Sequence, residues 1–190
     1  MIKVALTGNI ASGKTTVQSI LERYGYKVLD TDKTAHVLLD ELDEIKEAFA
    51  DFDIIENGKV SRSRLGQIVF DRPDLKKKLE DIIHPAVKKK ILEFFEENKS
   101  EDLVFTGIPL LFESGMQNIF DKSLLIYTDD NLREKRLISR NHFSVEYAHK
   151  RMSAQMSQDE KKELCDYVIY NNGTIDELEC SVKSFLALYS

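Results

Sequence analysis

The sequence predicts an α/β fold in which a five-stranded parallel sheet is flanked by helices. Three observations predict it. Short apolar runs recur along the 190 residues and alternate with stretches of helical period, the pattern of a parallel sheet covered on both faces. The first run passes directly into the glycine-bearing stretch Gly8–Thr15 and then into a helix. The polar residues suited to ligand chemistry fall just past strand ends, where open sheets of this kind bind their ligands.

Taken in order, Lys3–Thr7 reads as a buried first strand. Val17, Ile20, Leu21 and Tyr24 have helical spacing and predict a helix over 14–24, ended by Gly25. Lys27–Asp30 is the second strand and leads into the acidic pair Asp30 and Asp32. From Thr34 to Asn98 the pattern is helical, interrupted by an Asn57-Gly58 turn. Leu65, Ile68 and Val69 form one stripe there, and Leu79, Ile82 and Ile83 another before Pro85. That stretch is too long for a simple crossover and reads as an inserted helical subdomain. Leu103–Ile108, Ser123–Tyr127 and Tyr167–Tyr170 complete the strands, with helices over Asn131–Arg140 and Ser144–Gln155. The last helix, from about Ile175, sets Ile175, Leu178, Val182, Phe185 and Leu186 on one face.

Composition narrows the function classes. Hydrophobic residues at 42% and charged residues at 32% suit a soluble globular protein, and no apolar run reaches the ~20 residues a membrane span needs. The chain opens in a strand without signal-peptide anatomy. Cys165 and Cys180 are too few for a disulfide framework and lack metal-site spacing, so a reducing cytoplasm is expected. A net charge of −6 argues against nucleic-acid binding. Between Asn131 and Gln155, however, six basic residues face two acidic ones, a local +4. This is either a solvated helix face or, beside a phosphate-binding loop, a surface that meets anions.

Gly8-Asn9-Ile10-Ala11-Ser12-Gly13-Lys14-Thr15 fits G-x-x-x-x-G-K-[ST], after a strand and before a helix. Backbone N–H groups of such a P-loop converge on phosphates, and the helix dipole adds positive potential. Lys14 is placed to reach the β- and γ-phosphates of ATP, and the Thr15 hydroxyl to support Mg²⁺, with Thr16 next in the turn. The chain has no D-x-x-G switch, and its nearest approach to N-K-x-D is Asn98-Lys99-Ser100-Glu101. A GTPase is therefore not expected, and a small-molecule kinase with a lid is.

Further motifs sharpen this. Asp30-Thr31-Asp32, Gly58-Lys59-Val60-Ser61-Arg62, His84-Pro85, Pro109-Leu110-Leu111-Phe112-Glu113, Arg136 with Arg140, and Asp166 through Gly173 follow the P-loop in order. With these, the whole chain resembles the dephospho-CoA kinase family. The resemblance implies strand order 2-3-1-4-5 and a single P-loop kinase domain over residues 1–190. Its core would be 1–32, 99–128 and 157–190, with a helical acceptor-binding insertion at 33–98 and a lid at 129–156. It further implies ATP and Mg²⁺ as cofactors and 3′-dephospho-CoA as the small-molecule partner. No nucleic acid or membrane partner is expected, and the protein would act as a monomer or small homo-oligomer.

The resemblance also assigns residues. Asp32 would be the general base, and a helix N-cap is the other reading. Asp30 either orients the site, holds Mg²⁺ through water, or is structural. Arg136 and Arg140, four apart on one helix face, would meet phosphates, with Arg140 catalytic; Arg136 could instead pair with a surface carboxylate. Arg62, His84, Leu110 and Glu113 fall at acceptor positions, although His84 could simply mark a kink before Pro85. Asn171 would border the adenine site or serve a turn. Asn9 and Ala11 stand where the family loop usually has glycine, and Arg133 stands where it often has glutamine. Gly107 leaves strand three without the carboxylate that often supports Mg²⁺ there. Two other readings are another small-molecule P-loop kinase, and a weakly catalytic ATP-binding regulator.

Overall fold

The computed structural model describes residues 1–189. Chain order is β1 (Ile2–Thr7), α1 (Lys14–Arg23), β2 (Lys27–Asp30), α2 (Thr31–Glu41), α3 (Asp43–Ala48), β3 (Ile55–Glu56), β4 (Lys59–Val60), α4 (Arg62–Phe70), α5 (Pro73–Glu97), β5 (Leu103–Gly107), β6 (Lys122–Tyr127), α6 (Asp130–Asn141), α7 (Val145–Ser153), α8 (Gln158–Leu164), β7 (Tyr167–Tyr170) and α9 (Ile175–Leu186). Two compact units result: Met1–Asp30 with Glu97–Ser190, and Thr31–Glu96.

Within the first unit, the described residues form a five-stranded sheet in the order β2-β5-β1-β6-β7. All four strand pairs are parallel. Counted along this sheet alone, that is the expected 2-3-1-4-5. The central strands are buried on both faces, which is why Val4–Leu6, Leu103–Gly107 and Leu124–Ile126 read as nearly continuous apolar runs. Val4, Leu6, Phe105, Leu124 and Ile126 share one core with Val17, Ile20 and Leu21 of α1 and Leu178, Val182, Phe185 and Leu186 of α9. Each such side chain contributes roughly 1.5–3 kcal/mol on burial. Ile175 departs from the expected stripe. It sits in the first turn of α9 and is 64% exposed.

The register aligns the strand ends that matter. Leu6 lies beside Gly107 on one side and Leu124 on the other, and Asp30 lies beside Gly107. Val28 and Phe105 face the same core cluster. With a side-chain period of two, Asp30 and residue 107 therefore continue on that same face, the one α1 covers.

The second unit has its own core, built on Leu39, Ile45, Phe49, Ile54, Val60 and Leu65. It departs from the all-helical expectation at one place. Ile55–Glu56 and Lys59–Val60 pair as an antiparallel hairpin around Asn57 and Gly58, both at positive φ (51° and 78°). That is the backbone a tight two-residue hairpin needs, and strands of two residues are too short for alternation to show in a sequence. α5 runs through Pro85 without interruption. Asp32 lies in the first turn of α2 and Arg62 opens α4, both exposed, while His84 is half-buried on α5. α8 is a further helix missed in the sequence, because Gln158–Leu164 has no apolar period; its signal was the Ser157–Glu160 capping box. Among the described residues no helix is long and apolar enough to cross a membrane.

Candidate active site

The loop between β1 and α1 is shaped by backbone conformation first. Gly13 has φ 93°, and a β-carbon there would stand 2.2 Å from Asn171 Nδ2. Only glycine fits such a position. At Gly8 a β-carbon would meet Ser12 Oγ at 2.5 Å. Ala11 is the exception, an alanine held at φ 63°. Left-handed geometry costs an L-residue roughly 1–2 kcal/mol, so the loop keeps a curvature that its sequence partly opposes. Asn9 is not at positive φ. Its side chain is structural, donating from Nδ2 to Met156 O at 2.8 Å.

Side chains from distant segments hold the outer arc of the loop. Ile10 N–H donates to Gln155 Oε1 at 2.8 Å, and Arg133 Nε donates to Ile10 O at 3.0 Å. Thr128 Oγ1 and Asn171 Nδ2 donate to Ser12 O at 2.9 and 2.8 Å. Thr128 is itself fixed by Gln158, which accepts from its N–H and donates to its carbonyl. Arg133 belongs to the basic segment read either as a solvated helix face or as a surface that meets anions. It is instead only 3% exposed, pairs with Asp130 at 2.6 Å, and carries structure. Burial pulls its pKa down, and the Asp130 carboxylate opposes that pull.

The start of α1 is arranged differently. No side chain caps its N-terminus, so its first amides point toward whatever fills the loop. Lys14 is 8% exposed and Thr15 lies at the surface. Beside the loop is a cleft of about 600 Å³ lined by Ala11, Gly13, Thr16, Arg136, Arg140 and Asn171, among others. Arg136 donates to Asn171 O at 3.2 Å, and Arg140 Nε to Asn141 Oδ1 at 2.9 Å. Both arginines therefore reach the cleft, together with exposed Lys135. That gives a positively charged wall facing uncapped helix amides, an arrangement that suits a polyphosphate.

The strand-end loop after β5 is tied down by a buried cation. Lys161 is fully buried and donates to Pro109 O at 2.8 Å while pairing with Glu113 at 2.9 Å. Burial lowers its pKa against the pull of Glu113. Glu113 also accepts the Met156 N–H, so this carboxylate, expected at an acceptor position, is engaged within its own unit. Leu110 is half-buried in the same loop. Neither Lys161 nor Gln158 stood out in the sequence. Both lie in α8, whose polar composition suggested surface.

For Mg²⁺, the described residues hold no cluster of three or more His, Cys, Asp or Glu suited to a metal. The hard donors on this side of the first unit are the Thr15 hydroxyl, the Asp30 carboxylate beside Gly107, and the buried Gln18 amide. That sparse oxygen set fits Mg²⁺, which keeps several waters and takes substrate phosphates as ligands.

A glycine-bearing loop between a central parallel strand and a helix, with its lysine in place and arginines on the facing helix, defines a P-loop kinase. A family model described as dephospho-CoA kinase matches residues 2–177. The chain belongs to the dephospho-CoA kinase family. It is 40% identical to a dephospho-CoA kinase of Geobacillus kaustophilus, over 97% of this chain and 95% of that one. Among solved structures it resembles a protein of Thermus thermophilus (TM-score 0.86, 34% identity, 100% of this chain and 98% of that chain). It also resembles dephospho-CoA kinase from Campylobacter jejuni (TM-score 0.75, 33% identity, 97% and 95%). The chain is an ATP-dependent kinase.

Proposed function

We propose that this chain transfers the γ-phosphoryl group of ATP to the ribose 3′-hydroxyl of 3′-dephospho-CoA, giving CoA and ADP. Family membership across residues 2–177 supports the reading, and the observation that carries it is the formed phosphate cradle with Lys14 at its head. Gly8–Thr15 and the α1 amides hold the β- and γ-phosphates, with Thr16 at the mouth of the cleft. Arg136 and Arg140 close on them from α6, and Asn171 borders the base. Arg62, His84, Leu110 and Glu113 contribute to the acceptor's binding surface, residues 33–98 form the acceptor-binding insertion, and residues 129–156 act as the lid.

In the transfer, the acceptor oxygen bonds to the γ-phosphorus as the bond from that phosphorus to the bridging oxygen breaks and ADP leaves. Asp32 takes the hydroxyl proton, with Asp30 orienting the site. Lys14 and Arg140 stabilise charge on the migrating group. The Thr15 hydroxyl would help to hold Mg²⁺, which would supply neutralising positive charge to the nucleotide's phosphates. The enzyme works in the cytoplasm, as a monomer or small homo-oligomer.

Single-turnover transfer at saturating ATP, over a panel of dephospho-CoA, nucleosides, nucleotides and sugars, tests the acceptor. Fastest transfer to any other member overturns it. Asp32→Asn tests the base: turnover should fall roughly 10²-fold with both substrates still bound by calorimetry. If Asp30→Asn is dead and Asp32→Asn active, the proton goes to Asp30.

A further inference from the structure

Gln18 is an anomaly in a well-packed core. It is 4% exposed, and neither its Nε2 nor its Oε1 has a hydrogen-bond partner. Burying an amide without partners forfeits its hydrogen bonds to water, and such groups are rare enough in native interiors to call for a reason. Its location supplies one. Gln18 is four residues after Lys14, so both side chains leave α1 on one face.

That face meets the end of β5. A β-carbon on residue 107 would stand 2.1 Å from Gln18 Nε2 and 3.3 Å from Lys14 Nζ. The glutamine therefore occupies the place that any side chain at position 107 would fill. It lies beside the lysine of the phosphate loop and one strand from Asp30, which is in register with Gly107. An uncommitted amide carries both a donor and an acceptor. Buried next to a polyphosphate cradle, it can hydrogen-bond a metal-bound water and a phosphate oxygen alike.

We propose that Gln18 is a positioning residue for the nucleotide–magnesium complex: its side-chain amide, laid over Gly107 beside Lys14, hydrogen-bonds the ion's water shell. This rests on the kinase reading above. Gln18 and Gly107 act as a pair, the long amide reaching from the helix because the strand end offers no side chain. Partners that orient a metal's ligands typically change affinity about 10–100-fold when removed, which sets the effect to look for.

The test is calorimetric titration of ADP, with and without Mg²⁺, into wild type and Gln18→Met. Methionine fills the same volume and removes both polar atoms. The Mg²⁺-dependent gain in ADP affinity should shrink about tenfold, while affinity without Mg²⁺ and the melting temperature hold or rise. The double variant Gln18→Ala with Gly107→Asp, which moves an oxygen donor to the strand, should recover much of that gain. An unchanged Mg²⁺ gain in Gln18→Met overturns the proposal. So does an equal loss of affinity with and without the ion, which would mark a packing role only. A wild-type protein that binds no ADP under either condition overturns the kinase reading itself, and the proposal with it.

Discussion

The outer arc of the phosphate loop and the first turns of α1 are adjacent in sequence, yet their polar groups are committed in opposite ways. Along the arc, Asn9, Ile10 and Ser12 are bonded to Met156, Gln155, Arg133, Thr128 and Asn171. On α1, the first amides lack a side-chain cap, and the side-chain amide of Gln18 has no hydrogen-bond partner. One half of the loop is fastened by the protein. The other half starts a helix that no side chain caps. A cradle for a highly charged group works only if its donors are aimed before the charge arrives, and the fastened half does the aiming. Substitutions on the two halves should therefore fail differently.

The sharpest break is Lys14→Ala. Turnover should fall by about 10³-fold or more, since one preorganised charge-stabilising donor is worth on the order of 10²–10³ and this one carries full charge. Unfolding in urea should be nearly unchanged, and activity within a few-fold of wild type would refute the site. Next comes Arg140→Lys, which keeps charge but loses the planar fork. Turnover should drop by roughly 10–10²-fold, with ATP affinity changed far less; equal losses in both would remove Arg140 from the transition state.

Arg133→Met probes the fastened half from the same helix. It leaves Ile10 O short of a donor, so stability should fall by about 1–3 kcal/mol and KM for ATP should rise. The rate at saturating ATP should stay within a few-fold. A large loss of that rate at unchanged KM would mean that Arg133 is not confined to the arc. The smallest effect is expected at Ala11→Gly. Relief of left-handed strain is partly offset by glycine's greater freedom in the unfolded chain, leaving a gain of up to about 1 kcal/mol, read from the denaturation midpoint.

The same contrast explains what could be read in advance. The ligand-facing half was legible, because Gly8, Gly13, Lys14 and Thr15 stand at fixed spacing in one short segment. The three central strands were legible for a similar reason, since burial on both faces leaves nearly unbroken apolar runs, and each of the five strands lies within a residue or so of its expected bounds. The fastening half was not legible. Arg133 and Lys161 are buried by partners more than forty residues away, Ile10 and Pro109, and nothing local distinguishes them from surface cations. Arg133 could have been suspected from its place one turn before Arg136 on the same stripe. Gln18 could have been suspected only from its i+4 relation to Lys14. Ile175 misled in the other direction, since helical spacing placed it on the buried face of α9 but its position in the first turn leaves it in the open.

The central position of β1 has a consequence for how the chain assembles. Its six residues are made well before Leu103–Gly107 and residues 122–125, with which they pair. At synthesis rates of about 5–20 residues per second, the strand waits on the order of ten seconds for its neighbours. The unit Thr31–Glu96 draws its core from one continuous stretch and can begin earlier. During that wait an apolar β-strand is exposed without a partner, at the stage when such segments invite aggregation. A pulse-labelled, ribosome-bound chain truncated near residue 100 should leave β1 open to protease, and one extended past Tyr127 with ~35 residues of additional linker should protect it.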